Sequence, residues 1–104
     1  MFEFELSPDQ RALTIRVRDQ KFDITLAPGF RAEVESKWQE SIESVTVDFE
    51  TVEFIDSSGV GALVSVHKRL APKGRALRIR NPGPAVTSVI ELLRLHRVFE
   101  LVEE

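Results

Sequence analysis

The apolar residues of this chain change their spacing repeatedly, and this alternation constrains the fold more than any other feature of the sequence. In the first third, FEFEL alternates strictly and ALTIRVR places Leu13, Ile15 and Val17 on one side of an extended segment. KFDIT continues the pattern after a turn at Asp19-Gln20. A period of two residues is typical of strands with one buried face, so these segments predict an antiparallel start.

From Pro28 onwards the spacing becomes helical. Phe30, Val34, Trp38 and Ile42 recur every four residues, with charged and polar residues between them. This spacing predicts an amphipathic helix that extends through Ile42, and Pro28 suits its first turn.

Strands and helices alternate through the rest of the chain. VTVDF begins one extended stretch that Phe54-Ile55 end, ALRIR is a further strand, and RVFELVEE closes the chain with a last strand. The predicted order is β-β-β-α-β-α-β-α followed by that last strand. Helical spacing follows the serines after Ile55 and returns in NPGPAVTSVIELLRL. The helical positions are Val60, Leu63, Val64, His67 and Ala71 in the first segment and Val86, Val89, Ile90 and Leu93 in the second. This alternation implies crossover connections, so we expect an α/β fold with a mixed sheet packed against helices.

Length and composition narrow the classes of protein. No repeat or linker divides the 104 residues, so we expect one domain over positions 1–104. The net charge of −3, with acids and bases interspersed, gives no basic stripe for nucleic acid. The absence of cysteine excludes disulfides and thiolate chemistry. No leader pattern or stretch of roughly 20 apolar residues occurs, so we expect a cytoplasmic protein without membrane insertion.

The segment IDSSG, residues 55–59, lies between a predicted strand and a predicted helix. Loops at the carboxyl ends of strands form the functional face of such sheets. A serine nucleophile would need a histidine base, yet His67 lies about nine residues along the helix, some 13 Å from the serines. His96 is distant in sequence, and no G-x-S-x-G elbow is present. These features disfavour a hydrolase.

The sequence also lacks the motifs for nucleotide binding and for metal binding. Gly59-Val60-Gly61 resembles the start of a dinucleotide fingerprint, but Val64 occupies the third glycine position and no P-loop follows. The small residues instead suit a helix start that approaches neighbouring backbone closely. Two isolated histidines without H-E-x-x-H spacing predict no metal site.

Two interpretations of Ser57 and Ser58 then stay open. A serine at a helix start is most often an N-cap. The free N–H groups and the helix dipole also favour an anion there, including a phosphate attached to a serine. Such a phosphate would add about 1.5 to 2 negative charges beside Asp56 and so act as a switch on docking.

The chain resembles a STAS domain of the bacterial anti-sigma factor antagonist type over nearly its whole length. VDFETVEFIDSSGVGALVSVHKRL is similar to the family's central motif, an apolar strand followed by Asp-Ser-Ser/Thr-Gly-Leu/Val-Gly and a helix. FDITLAPGFRAEV is similar to the segment that leads into the first helix, and RIRNPGPAVTSVIELLRLHRVFELVEE to the closing strand, Asn-Pro turn, helix and tail.

The resemblance implies a mixed sheet of four to five strands backed by three to four helices, and a non-catalytic, monomeric binding protein without a cofactor. Ser57, the first serine after Asp56, would be the phosphoacceptor, with Ser58 less favoured. Asp56 and Asp23 correspond to the family's two acids beside that site. The loop and helix start covered by the partner would comprise Ser58, Gly59, Val60 and Gly61.

The resemblance also implies a partner-switching pathway. The unphosphorylated form captures an anti-sigma factor that is also a serine kinase, and so frees a sigma factor. Phosphorylation ends the capture, and a metal-dependent serine phosphatase reverses it. ATP and Mg²⁺ belong to the kinase.

This chain departs from the family pattern at two places. Gln20-Lys21 replace the usual Gly-Glu before Phe22-Asp23, which removes a flexible glycine and changes an acid to a base. Leu93-Arg94 stand where a small residue and a glycine usually end the third helix, so a glycine C-cap is missing.

Two alternative functions stay open for a STAS domain of this kind. They are a constitutive subunit of a lipid or anion transporter and a scaffold subunit of a signalling assembly, both without phosphoregulation.

Overall fold

The computed structural model describes residues 2–104. In chain order these residues form β1 (Phe2–Leu6), β2 (Ala12–Val17), β3 (Lys21–Phe22), α1 (Ala27–Lys37), β4 (Ser44–Asp48), β5 (Phe54–Ile55), α2 (Ser57–Leu70), β6 (Arg78–Arg80), α3 (Pro84–Leu92) and β7 (Glu100–Val102). Short 3-10 turns follow α2 at Ala71–Lys73 and α3 at Leu95–Arg97.

Five strands form one mixed sheet in the order β1-β2-β4-β6-β7. β1 runs antiparallel to β2, and each of the other neighbours is parallel. The expected α/β class and the antiparallel start of β1 and β2 are confirmed. Parallel neighbours require crossovers, and the three α-helices supply most of them.

β3 is much shorter than the KFDIT pattern predicts, and it lies outside this sheet. It covers two residues and pairs in parallel with β5, Lys21 opposite Phe54 and Phe22 opposite Ile55. The predicted antiparallel continuation is therefore wrong. The chain leaves the extended conformation at Asp23, whose carbonyl accepts hydrogen bonds from the N–H groups of Leu26 and Ala27 as the turn before α1 forms.

The core lies between the helices and one face of the sheet. Alternate residues of β2, namely Leu13, Ile15 and Val17, are buried there, and β4 contributes Val45 and Val47. The strand period predicted from the sequence therefore orients these residues correctly. The opposite face of the sheet is charged.

Aromatic rings join β3 to α1 within this core. The Phe22 and Phe30 rings meet edge to face with centroids 5.0 Å apart, and Phe49 packs 5.3 Å from Phe22. These contacts hold the end of β3 in a defined place, because all three side chains are fully buried.

The first helix ends at Lys37, so the predicted extension through Ile42 is wrong. Trp38 has extended backbone, with φ −68° and ψ 138°. A spacing of four residues gains about 40° on each turn, so a long run of it leaves the buried face. Ile42 is instead buried from the following loop, and Trp38 lies 5.2 Å from the guanidinium of Arg69.

The two departures from the family pattern have different structural results. The turn at Gln20-Lys21 contains no residue in the left-handed region, so it needs no glycine. At the end of α3, by contrast, Arg94 has φ 60° and ψ 22°, the conformation that a glycine adopts at lower cost. The helix thus ends where a glycine cap would end it, with some backbone strain.

Candidate functional site

The candidate site lies where β3 and β5 end side by side. Because these strands are parallel, the segment after β3, which begins at Asp23, lies beside the segment after β5, which begins at Asp56. The structure therefore brings together the two acids that the sequence resemblance placed near Ser57.

Asp56 caps α2 and links the two segments. Its Oδ1 accepts a hydrogen bond from the N–H of Gly59 at 2.9 Å. Its Oδ2 accepts one from the N–H of Ile24 at 3.2 Å, across 32 positions of sequence. Asp56 has extended backbone, with φ −112° and ψ −175°, as an N-cap requires.

The interpretation of a serine as the N-cap is consequently wrong. Ser57 and Ser58 are already the first two residues of α2, and an N-cap is the extended residue before them. The Asp56 carboxylate accepts from N–H groups on both segments, one with each oxygen. Neither serine hydroxyl therefore caps α2.

The two serines differ in exposure. Ser57 is exposed, whereas Ser58 is half-buried and lines a groove beside Pro28 and Arg31. Within residues 2–104, neither hydroxyl forms a hydrogen bond to another residue. Ser57 thus presents an accessible and uncommitted hydroxyl.

Asp23 is held as a carboxylate. Its Oδ1 accepts hydrogen bonds from the Thr25 hydroxyl at 2.5 Å and the Thr25 N–H at 3.0 Å. The hydroxyl bond is the larger cause that lowers the pKa of Asp23 below its usual range. At neutral pH the site therefore has a negative charge at Asp23.

The glycines allow the helix start to approach β3. A Cβ at Gly59 would lie 2.1 Å from the carbonyl oxygen of Phe22, so no side chain fits. A Cβ at Gly61 would meet only the Arg31 guanidinium, at 2.8 Å. Val60 is buried, 8% exposed, so it anchors the helix start rather than facing solvent.

The two histidines lie in other parts of the chain than the serine loop. His67 packs edge to face on Phe99 with centroids 5.9 Å apart. It lies ten residues after Ser57 in α2, which corresponds to about 15 Å along the axis. His96 is exposed in the 3-10 turn after α3. Across positions 2–104, no cluster of three or more acids, histidines or cysteines could hold a metal ion.

Two exposed apolar side chains at this edge were not identified from the sequence. Ile24 is 61% exposed and Phe54 is 49% exposed. Ile24 adjoins Asp56 through the hydrogen bond to its N–H, and Phe54 is two residues before Asp56. An isoleucine between Asp23 and Thr25 in a polar turn was the available signal. We call Ile24, Phe54 and Ser57 the docking surface.

Comparison with known proteins identifies the family that has this fold and this loop. The sequence model of the STAS domain matches residues 4–104. The chain belongs to the STAS domain family.

Solved structures share the architecture. An anti-sigma factor antagonist from Mycobacterium paratuberculosis is 22% identical, with a TM-score of 0.82 over 98% of this chain and 84% of that one. Phosphorylated SpoIIAA, a Bacillus cell fate determinant, is 22% identical, with a TM-score of 0.77 over 100% of this chain and 91% of that one. A sulfate transporter family protein from Wolinella succinogenes is 11% identical, with a TM-score of 0.75 over 94% and 80%. These similarities show the fold, a mixed five-stranded sheet with three helices.

Proposed function

We propose that this protein is an anti-sigma factor antagonist in a partner-switching pathway, and that phosphorylation of Ser57 ends its binding to the anti-sigma factor. The observation that carries the proposal is the exposed, uncommitted Ser57 hydroxyl at the first position of α2. Asp56 already caps that helix, so Ser57 can be modified without loss of the cap.

Ser57 is a better acceptor than Ser58 because a kinase must reach the hydroxyl. Ser57 is exposed, whereas Ser58 is half-buried in its groove. In the proposed reaction, Ser57 Oγ attacks the γ-phosphorus of ATP and the bond to ADP breaks. The hydroxyl proton is released, and the product is a phosphoserine ester.

The fold tolerates a phosphate at this position. The first N–H groups of a helix have no intrahelical partner, and the positive end of its dipole favours an anion. A phosphate on Ser57 would add about 1.5 to 2 negative charges at the edge that already holds Asp56 and Asp23. The main consequence is electrostatic and falls on whatever docks there.

The docking surface explains how one phosphate could end binding. Ile24 and Phe54 are large apolar side chains that a partner would cover. A phosphate on Ser57 at the same edge would have to lose water when the partner binds, and a buried charge without a counter-charge is costly. The proposed partner is an anti-sigma factor that is also a serine kinase.

The proposal assigns the chemistry to the partners. ATP and Mg²⁺ belong to the kinase, and a metal-dependent serine phosphatase resets the switch. This chain acts as a monomeric cytoplasmic binding protein, with no catalytic residue and no cofactor of its own.

The test uses purified anti-sigma factors with serine-kinase activity as candidate partners. Purified protein incubated with such a kinase and Mg-ATP should gain one phosphate by mass spectrometry. Ser57→Ala should abolish the gain, and the matched variant Ser58→Ala should retain it. In a binding assay, Ser57→Asp should weaken affinity at least tenfold, a loss of about 1.4 kcal/mol. A kinase that binds the protein tightly but transfers no phosphate to it would refute the switch.

A second candidate is a constitutive subunit of a transporter. The similarity to the sulfate transporter family protein supports it, and no helix in residues 2–104 is long and apolar enough to span a membrane. Here the same loop would dock on another subunit without phosphorylation. Co-purification with a permease or its ATPase, unaffected by Ser57→Asp, would favour this alternative.

A further inference from the structure

Arg31 of α1 is an exposed arginine beside the start of α2. Within residues 2–104, no carboxylate pairs with its guanidinium. Several other arginines are paired, such as Arg18 with Glu3 at 2.9 Å and Arg80 with Asp48 at 3.0 Å, whereas Arg75 is exposed and, like Arg31, forms no ion pair within these residues. Arg31 therefore has a free charge next to the candidate site.

Gly61 determines where the Arg31 side chain lies. A Cβ on Gly61 would be 2.8 Å from an Arg31 Nη atom, so the guanidinium occupies the space that a side chain would need. Gly61 is four residues after Ser57 and three after Ser58, so the three positions are neighbours on one helix face. The Cβ position of Gly61 therefore lies about 5 to 6 Å from the Cβ atoms of Ser57 and Ser58.

The guanidinium adjoins the Gly61 Cβ position, and that position leans towards the amino terminus of α2. The Cα–Cβ bonds of a helix tilt towards its amino terminus, so a group over the Gly61 Cβ position is displaced towards the serines. Arg31 and Ser58 line the same groove, in agreement with this placement. Ser57 precedes Ser58 and is not among the residues that line the groove, so a phosphate on it would meet the guanidinium by extending across the edge of the groove.

We infer that Arg31 binds the phosphate of phosphorylated Ser57. This inference rests on the proposed function for the modification itself. The planar guanidinium fork can donate two parallel hydrogen bonds to phosphate oxygens. The nearby acids do not compete, because Asp56 accepts from the N–H groups of Gly59 and Ile24.

The contact would add a second ionic link between α1 and α2, beside the ion pair of Glu35 with Arg69, and only in the phosphorylated protein. It would also remove the free charge of Arg31 from the edge that a partner covers. Phosphorylation would thus add negative charge and withdraw a cation in a single step.

The test introduces phosphoserine at position 57 during synthesis, by suppression of a stop codon, so that no kinase is required. Phosphorus NMR then measures the second pKa of the phosphate in the wild-type background, in Arg31→Gln and in Arg75→Gln. Arg75 is also exposed and follows the opposite end of α2, so it is a control of equal charge. The pKa should rise by roughly half a pH unit in Arg31→Gln and stay unchanged in Arg75→Gln.

A second measurement needs no substitution. The Nε–H resonance of Arg31 should shift when Ser57 carries the phosphate and should follow the phosphate's titration midpoint. An unchanged phosphate pKa in Arg31→Gln would overturn the inference. So would an Arg31 Nε–H chemical shift that does not change as the phosphate titrates. Because the phosphoserine is encoded, a failure of kinase recognition would leave this result unaffected.

Discussion

Gly59 and Gly61 provide a sharp test of how α2 packs on β3. The two glycines are two residues apart in the same helix, and the same change to alanine can be made at each. At Gly59 the new Cβ would lie 2.1 Å from the Phe22 carbonyl oxygen and 2.9 Å from both Ile55 Cγ1 and Phe22 Cδ2. At Gly61 it would meet only the mobile end of Arg31, at 2.8 Å.

The expected magnitudes follow from these neighbours. Ordinary contact needs about 3.4 Å or more, so Gly59→Ala must displace the helix start by more than 1 Å from backbone and a buried ring. Overpacking of this kind lowers the free energy of unfolding by about 1 to 3 kcal/mol, and the better helix propensity of alanine offsets at most about 1 kcal/mol of that loss. We expect Gly59→Ala to lower the free energy of unfolding by about 2 kcal/mol. Gly61→Ala should leave it unchanged or raise it by up to about 1 kcal/mol, because Arg31 can move.

Urea denaturation followed by circular dichroism measures both variants. In thermal unfolding, the loss at Gly59 corresponds to a decrease in Tm of roughly 10 °C. The described packing of α2 against β3 is refuted if the free energy of unfolding of Gly59→Ala lies within about 0.5 kcal/mol of the parent's. It is also refuted if both variants lose the same free energy of unfolding.

Three further predictions concern single residues. Asp56→Ala should lower the free energy of unfolding by about 1 to 2 kcal/mol, while Asp56→Asn, which keeps a cap acceptor for Gly59, should lose less in the same urea assay. Arg94→Gly should raise stability by about 0.5 to 1 kcal/mol in thermal unfolding, because glycine relieves the left-handed backbone; a lower Tm would contradict this. The pKa of Asp23 is lowered in the fold, so its stabilising contribution is present above its unfolded-state pKa and is lost as the pH falls through the folded-state pKa. Thr25→Val should raise the Asp23 pKa towards its usual value in a carboxyl NMR titration, and no change would exclude the hydroxyl as the cause.

Much of the fold and site follows from local patterns. Apolar residues two apart in FEFEL and ALTIRV predict strands that the structure contains as β1 and β2. The glycine at position 59 predicts close backbone approach, which the contact with Phe22 confirms. The phosphoacceptor role of Ser57 stays a prediction until the kinase assay is made.

Other features depend on residues far apart in the chain. Local sequence allows either a serine or Asp56 to cap α2. The hydrogen bond from the Ile24 N–H to the other oxygen of Asp56 joins segments 32 positions apart, which β3 and β5 bring together by pairing. The exposure of Ile24 and Phe54 likewise depends on which segments cover them. Periodicity contains no information on either point.

Short-range physics was therefore sufficient for the type of most elements, since strand and helix periods depend on residues two to four positions apart. It predicted a single strand between the first two helices, where the structure has β4 and β5 in different sheets. It also located the serine loop, because the acid, the serines and the glycines are adjacent in the chain. The tertiary structure decided which serine is accessible, where Arg31 lies and how the Asp56 carboxylate links α2 to the segment after β3. Those properties are set by contacts between α1, β3, β5 and α2, which come together only when the whole chain has folded.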